Sequence, residues 1–202
     1  MPPIRSLSEL DPDGFYTYAD YCAWQFEGWE EIIDGRLTPR RGYWGTAHAR
    51  TAGNLLRQLW HHADEDVLAP HDADGLHMIA VALGGPLSAT VVVPDYVIWR
   101  KPLPPSAHDY FEGVPLWLIE ITKPGSEHLD WVVKHRLYER SGVEEYWIIS
   151  PESKTVTTYH LSNGRYELTG EWWEAGQIPS SSLPGVVVEW EALFPADKYA
   201  TP

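Results

Sequence analysis

Residues 116–122 read LWLIEIT, an apolar run broken by a single carboxylate, Glu120. An apolar run without polar alternation predicts a strand covered on both faces, as in the middle of an α/β sheet. A charge in such a strand is costly unless it is paired, protonated or bound to a cation. The next segments narrow the choice of fold. A helical pattern runs from about Glu127 to Ser141 and stops at Gly142, the expected place for a glycine beyond the last turn. Glu145–Ser150 (EYWIIS) reads as another strand. Strand, helix and strand predict a right-handed crossover in a mixed sheet, hence an α/β (α+β) fold with helices flanking the sheet.

The rest of the chain can be arranged around that unit. Ala19–Gly28 reads as a short helix and Glu31–Thr38 as a first strand bent at Asp34-Gly35. From about Thr46 to Ala63, the apolar positions Ala49, Ala52, Leu55, Leu56 and Leu59 follow the spacing of one buried helix face. Residues 64–78 read as a loop, Ile79–Leu83 as a strand, and Thr90–Trp99 as a strand interrupted by Pro94. Residues 101–113 are punctuated by Pro and Gly and read as a loop. Thr155–Leu161 and Tyr166–Thr169 form a hairpin across Ser162-Asn163-Gly164. Beyond residue 171 the Trp- and Pro-containing tail gives no clear pattern, and packing of Trp172, Trp173 and Trp190 against the sheet is the default expectation. No repeat or flexible linker divides the 202 residues, so one domain is expected, with a core of about residues 18–170.

Composition excludes several classes. The single cysteine, Cys22, allows no internal disulfide and no cysteine-based zinc cluster, and suits a reducing cytoplasm. No apolar stretch approaches the roughly 18 residues of a membrane span, and the first residues lack the apolar core of a secretion signal. The expected location is therefore cytoplasmic. Fifteen Lys and Arg against 29 Asp and Glu give a net charge of −14, which opposes extended binding to nucleic acid unless a cleft is locally basic. His61, His62, His71, Asp72, Asp74 and His77 crowd one segment, but their spacing matches no closed zinc site; a solvated acidic loop is the better reading. Phosphate-binding glycine loops and nucleophile-elbow motifs do not occur.

Two further residues join Glu120 as candidates. Asp95 follows Pro94 in an otherwise apolar strand, where an interrupted ladder re-aims side chains. Two acids on neighbouring strands can hold one Mg²⁺ through oxygen while the ion keeps several waters. On the following helix, Asp130, Lys134 and Tyr138 stand at i, i+4 and i+8, a stripe drifting only about 80° around the axis. A lysine there can orient water or offset charge developing on a phosphate. Each residue also has an ordinary structural reading. Asp130 and Lys134 make a standard helix ion pair worth a few tenths of a kcal/mol; Glu120 is a paired structural carboxylate; Asp95 marks a turn. Their joint order and spacing is the specific signal.

The segments EIIDG (31–35), VPD (93–95), LIEIT (118–122), the set Asp130, Lys134 and Tyr138, and GVEEYWIISP from Gly142 resemble the Uma-two family, domain of unknown function 820. That family consists of restriction-endonuclease-like proteins in the PD-(D/E)XK nuclease superfamily. The resemblance covers about residues 18–170 and implies a Mg²⁺- or Mn²⁺-dependent endonuclease acting on DNA. It matches Asp95 and Glu120 to the metal-binding acids, with a strand carbonyl near Ile121 assisting. Lys134 matches a lysine displaced from strand to helix, Glu31 an additional acid, and His48 a position where the family often has histidine. Asp130 and Tyr138 match flanking members of the helix motif. Such enzymes are often homodimers. The strict pattern wants lysine two residues after Glu120, where Thr122 stands; Lys123 is one residue late and is expected on the opposite face of the strand. A protein of this fold that binds without cutting, or a phosphodiesterase acting on RNA or another phosphate ester, are the alternatives.

Overall fold

The computed structural model describes residues 4–26, 30–38, 45–60, 80–85, 87–100, 102, 106–107 and 110–196. In chain order the elements are helix α1 (Tyr18–Ala23), strands β1 (Glu31–Ile33) and β2 (Arg36–Thr38), helix α2 (Thr46–Trp60), and strands β3 (Ala80–Ala82), β4 (Val91–Val92), β5 (Tyr96–Ile98), β6 (Ser106–Ala107), β7 (Tyr110–Glu112) and β8 (Trp117–Ile121). A π-helical segment (Leu129–Lys134) leads into α3 (His135–Ser141), followed by β9 (Glu145–Ser150), β10 (Thr155–Ser162), β11 (Arg165–Trp172), β12 (Gln177–Pro179), β13 (Val187–Glu189) and α4 (Trp190–Leu193).

The strands form two mixed sheets where one was expected. One has the order β2-β1-β4-β3-β7-β6 and the other β11-β10-β9-β8-β5, with β12 and β13 as a separate ribbon. Pro94 explains the division. Lacking an N–H, it cannot continue a central ladder, and the chain leaves the first sheet after β4 and enters the second at β5. The 90–99 segment is therefore two strands in two sheets. Residues 101–113, read from sequence as loop, supply β6 and β7.

The crossover unit is present as expected. β8 pairs parallel with β9, Glu120 opposite Ile148, and antiparallel with β5, Ile119 opposite Tyr96. All five residues of β8 are buried. Alternation along it divides the core. Trp117, Ile119 and Ile121 face one cluster with Leu55 and Leu59 of α2, whereas Leu118 joins Leu137, Tyr138 and Val97 on the other side. This second cluster also contains Ile33, Val81 and Val92 of the six-stranded sheet. Glu120 has the parity of Leu118, so it points toward the helix and the neighbouring sheet.

Local chemistry accounts for the connections. Asp34 and Gly35 both have positive φ (52° and 78°), as do Asn163 and Gly164 (51° and 77°), the signature of the tight hairpin turns that Asp-Gly and Asn-Gly favour. Gly142 ends α3 at φ 84°. The α2 face differs from expectation at one end: Ala49 is exposed, while Thr51 and Asn54 are buried because α2 packs against the C-terminal segment as well as the sheet. The Asn54 side chain donates to the Leu193 carbonyl at 3.0 Å and Gln58 to that of Glu189 at 3.3 Å. Trp172 and Trp190 pack against the first cluster as expected, and Trp173 is 60% exposed. The expected loop at 64–78, with the His and Asp residues from His61 to His77, lies outside the described residues. Among those described, no helix is long and apolar enough to cross a membrane.

One anchor of the tail gave no warning in the sequence. Glu145, fully buried at the start of β9, accepts from Trp147 Nε1 (2.7 Å), Ser180 Oγ (2.6 Å), the Ser181 and Ser182 N–H groups (both 3.0 Å) and the Ser182 hydroxyl. Burial of an acceptor-only group is tolerated here because donors surround it. Glu145→Ala strands those donors, and we expect it to destabilise the fold by about 3 kcal/mol or more; a urea melt showing less than about 1 kcal/mol would contradict this account.

Candidate active site

Four chain segments converge on one small cavity. Glu31 comes from β1, Asp95 from the Pro94 crossing between sheets, Glu120 and Ile121 from β8, and Lys123, Ser126, Leu129, Asp130 and Lys134 from the turn and helix that follow. Extending the β5–β8 register by one step sets Asp95 opposite Glu120, and opposite residues share a face. The cavity, about 20 Å³, has room for one or two water-sized bodies.

The helix reaches this point with unusual geometry. Asp130 and Lys134 lie in the π-helical segment and Tyr138 in α3. The wider i→i+5 turn counters the drift of an α-helical stripe, and such segments recur at functional sites. Lys134 Nζ lies 2.8 Å from Glu31 Oε1, 2.9 Å from Glu120 Oε1 and 3.9 Å from Asp130 Oδ1, with all four side chains buried. Tyr138 donates to Glu120 Oε1 at 2.7 Å. The Val93 N–H donates to Glu31 Oε1 at 2.9 Å, while Glu31 Oε2 is buried with no hydrogen-bond partner among the described residues.

Asp95 sits in a different field. Its Oδ2 accepts from the Ile121 N–H at 2.8 Å, and its Oδ1 lies 3.2 Å from His48 Nε2 and 3.8 Å from Lys123 Nζ. Burial pushes its carboxyl up, but the close approach of His48, the charge of Lys123 and the Ile121 N–H outweigh that and bring it to about 2. Glu120 moves the other way. Burial raises it to about 8 against the pull of Lys134, with Asp130, Asp95 and Glu31 adding repulsion. Burial likewise takes Asp130 to about 6, opposed by Lys134 and by the Ser126 hydroxyl. Burial would lower the Lys134 ammonium, yet Glu120, Glu31 and Asp130 hold it above its ordinary value. One ammonium among three carboxylates leaves excess negative charge, so the cluster retains a proton.

The eight residues singled out from the sequence therefore lie together. Glu31, Asp95, Glu120, Ile121, Asp130 and Lys134 line the cavity; Tyr138 touches it through Glu120 and His48 through Asp95. Lys123 corrects an expectation. The last ladder contact of β8 is the Thr122 N–H to the Ile149 carbonyl, 2.8 Å, and the chain then turns, so strand alternation no longer governs residue 123. Its side chain comes back to the cavity, only 8% exposed. Pro124-Gly125 was the available signal that the strand ends before Lys123. Ser126 also escaped notice; its hydroxyl donates to Asp130 Oδ2 at 2.8 Å.

The donor set is made of oxygens, the choice of hard cations. Among the described residues no group of three or more His, Cys, Asp or Glu side chains encloses a point suited to a metal ion. Lys134 holds Glu31 and Glu120 through one oxygen each, which leaves Asp95 and Glu120 as the carboxylate pair facing each other across the strands.

Comparisons with known proteins agree with this architecture. A protein from Anabaena variabilis ATCC 29413, described as a "putative nuclease belonging to DUF820", superposes with a TM-score of 0.68 at 17% identity, covering 89% of this chain and 97% of its own. At that identity the likeness speaks for the fold alone. No curated protein matches. The model of the family Uma2, described as "Putative restriction endonuclease", matches residues 18–191. The chain belongs to the Uma2 family.

Proposed function

We propose that this protein is a divalent-metal-dependent nuclease that hydrolyses phosphodiester bonds in DNA. The observation that carries the reading is the convergence of Glu31, Asp95, Glu120, Asp130 and two lysines on one small cavity. Burying such a charge array adds less stability than apolar residues of similar volume would, and perturbed titratable groups gathered in a cleft are a mark of function.

Asp95 and Glu120, with the Ile121 carbonyl, are the residues that would hold Mg²⁺ or Mn²⁺. Two carboxylates suffice for an ion that completes its shell with a carbonyl, water and substrate oxygens, and Glu31, which also lines the cavity, has a buried oxygen that offers a further ligand. When bound, the ion supplies a more acidic water and positive charge against the scissile phosphate. The protein's own residues supply orientation. Lys134 and Tyr138 pin Glu120 through the same oxygen. The Ile121 N–H and His48 fix the Asp95 carboxylate, and Asp130, held by Ser126, adds to the field that keeps Lys134 charged. Lys134 also faces Glu120 instead of turning away from the acids, which favours an active site over a fold that merely binds.

The test is cleavage of supercoiled plasmid and single-stranded DNA with Mg²⁺ or Mn²⁺. Wild type should cut, and Asp95→Ala and Glu120→Ala should lose at least 100-fold of the activity, on the order of 3 kcal/mol of transition-state stabilisation. Linearising a duplex requires a cut in each strand, which a pair of sites delivers in one encounter, so concerted double-strand cutting should coincide with a homodimer in sedimentation. A folded wild type that cuts neither substrate would move the reading to a binding role or to RNA or another phosphate ester.

Lys134→Met should be destabilised by about 3–5 kcal/mol, because it leaves buried carboxylates without their counter-charge. A denaturation midpoint equal to that of wild type would exclude the network described here.

The pH dependence follows from the two raised carboxyls. Glu120 goes from 4.5 to about 8 and Asp130 from 3.8 to about 6, so between those limits the folded state binds more protons than the unfolded one. Stability without metal should therefore fall as pH rises from about 5 to 8. Asp95, lowered from 3.8 to about 2, contributes stability that is lost only as pH falls through that acid range. Divalent cations should raise the melting temperature more at pH 8 than at pH 5.5, because at pH 8 fewer protons compete for Glu120. An equal or reversed shift in calorimetry would contradict this.

A further inference from the structure

We propose that Lys123 couples cation binding to phosphate binding: its ammonium opposes a divalent ion in the cavity until a phosphate diester arrives, which it then contacts. This rests on the nuclease reading above and adds a second cationic residue to that site.

The two cavity lysines are placed differently. Lys134 has two carboxylate oxygens within 2.9 Å and a third at 3.9 Å, from three separate segments, so its charge is spent on holding acids in position. Lys123 Nζ stands 3.8 Å from Asp95 Oδ1 at the cavity wall. That oxygen belongs to one of the two carboxylates assigned to the ion.

The lysine is also held from its own backbone. The Lys123 N–H donates to Ser126 Oγ at 2.9 Å, and the Ser126 N–H returns to the Lys123 carbonyl at 2.9 Å. Gly125 closes this turn at φ 92°, a conformation that side chains disfavour. Ser126 is tied in turn to Asp130. The side chain thus leaves a closed turn whose other end is part of the site, and its direction is set before any ligand arrives.

An ammonium and a divalent ion sharing one carboxylate repel strongly where water is scarce. A diester oxygen beside them reverses the sign of Lys123's contribution, since ammonium groups bind phosphate as point charges. Coupling of this kind is reciprocal: phosphate tightens the metal and metal tightens phosphate by the same factor. It also limits loading of the cavity when no substrate is present.

The experiment is calorimetric titration of Mn²⁺ into the full chain, with and without the dinucleotide TpT, for wild type, Lys123→Gln, Lys123→Met and Lys123→Arg. Circular dichroism melts identify the folded variants, and the two neutral replacements guard against one failing to fold. Without TpT, the neutral variants should bind Mn²⁺ at least tenfold more tightly than wild type. With TpT, wild type and Lys123→Arg should gain at least tenfold in Mn²⁺ affinity, and the neutral variants little or nothing. Equal Mn²⁺ affinity in wild type and neutral variants, or an equal gain from TpT, overturns the role of Lys123 and leaves the metal reading standing. Absence of Mn²⁺ binding in every folded variant overturns both.

Discussion

A single buried ammonium organises this molecule. Lys134 draws Glu31 from the six-stranded sheet and Glu120 from the five-stranded sheet to the same nitrogen, 2.8 and 2.9 Å away. The sheets also share apolar contacts, but those contacts are non-directional and would tolerate sliding. An ion-pair junction does not, because a displaced carboxylate in a water-poor interior has no substitute partner. The position of the cavity between the sheets is therefore set by the same contact that charges it.

The first crossing between the two sheets is made by one residue pair. Pro94 ends pairing in the first sheet, and Asp95, next in line, comes to face Glu120 as the chain begins pairing in the second. A structural break and a candidate ligand thus arise from a single dipeptide. The arrangement also separates the environments of the two acids. Asp95 is surrounded by donors and cations and stays ionised, while burial, reinforced by the neighbouring acids, makes Glu120 hold its proton tightly in spite of Lys134. Environments that push two carboxyls in opposite directions are how one site acquires groups of different character.

The sequence revealed Glu120, Asp95 and Lys134 because each breaks a local pattern: a charge in a buried strand, a proline within a strand, a lysine at helical spacing from an acid. The crossover unit was legible for the complementary reason that β8, helix and β9 each obey their pattern without conflict. Other features were hidden. Nothing local distinguishes an interrupted strand from two strands in different sheets, so the division at Pro94 required the tertiary structure. Lys123 was assigned to the wrong face because alternation was carried past the residue at which the strand stops. Strands β6 and β7 are too short to overcome the loop-like Pro and Gly around them. Glu145 looked like an ordinary polar residue at the edge of a strand, and its five donors come largely from Ser180–Ser182, 35 to 37 residues away.

The π-helical segment has a consequence for how this chain can vary. A helix that closes i→i+5 turns carries surplus residue for its rise, comparable to an insertion accommodated without a loop. Removing one residue between 129 and 134 would restore regular α-helical bonding, so helix propensity alone favours the shorter version. It would also rotate Asp130 and everything before it by about 100° relative to Tyr138, and Asp130 and Lys134 would cease to face the same acids. Length variation is thus barred here by the cavity and not by the helix, the reverse of the usual situation in which an insertion is tolerated only where nothing depends on it.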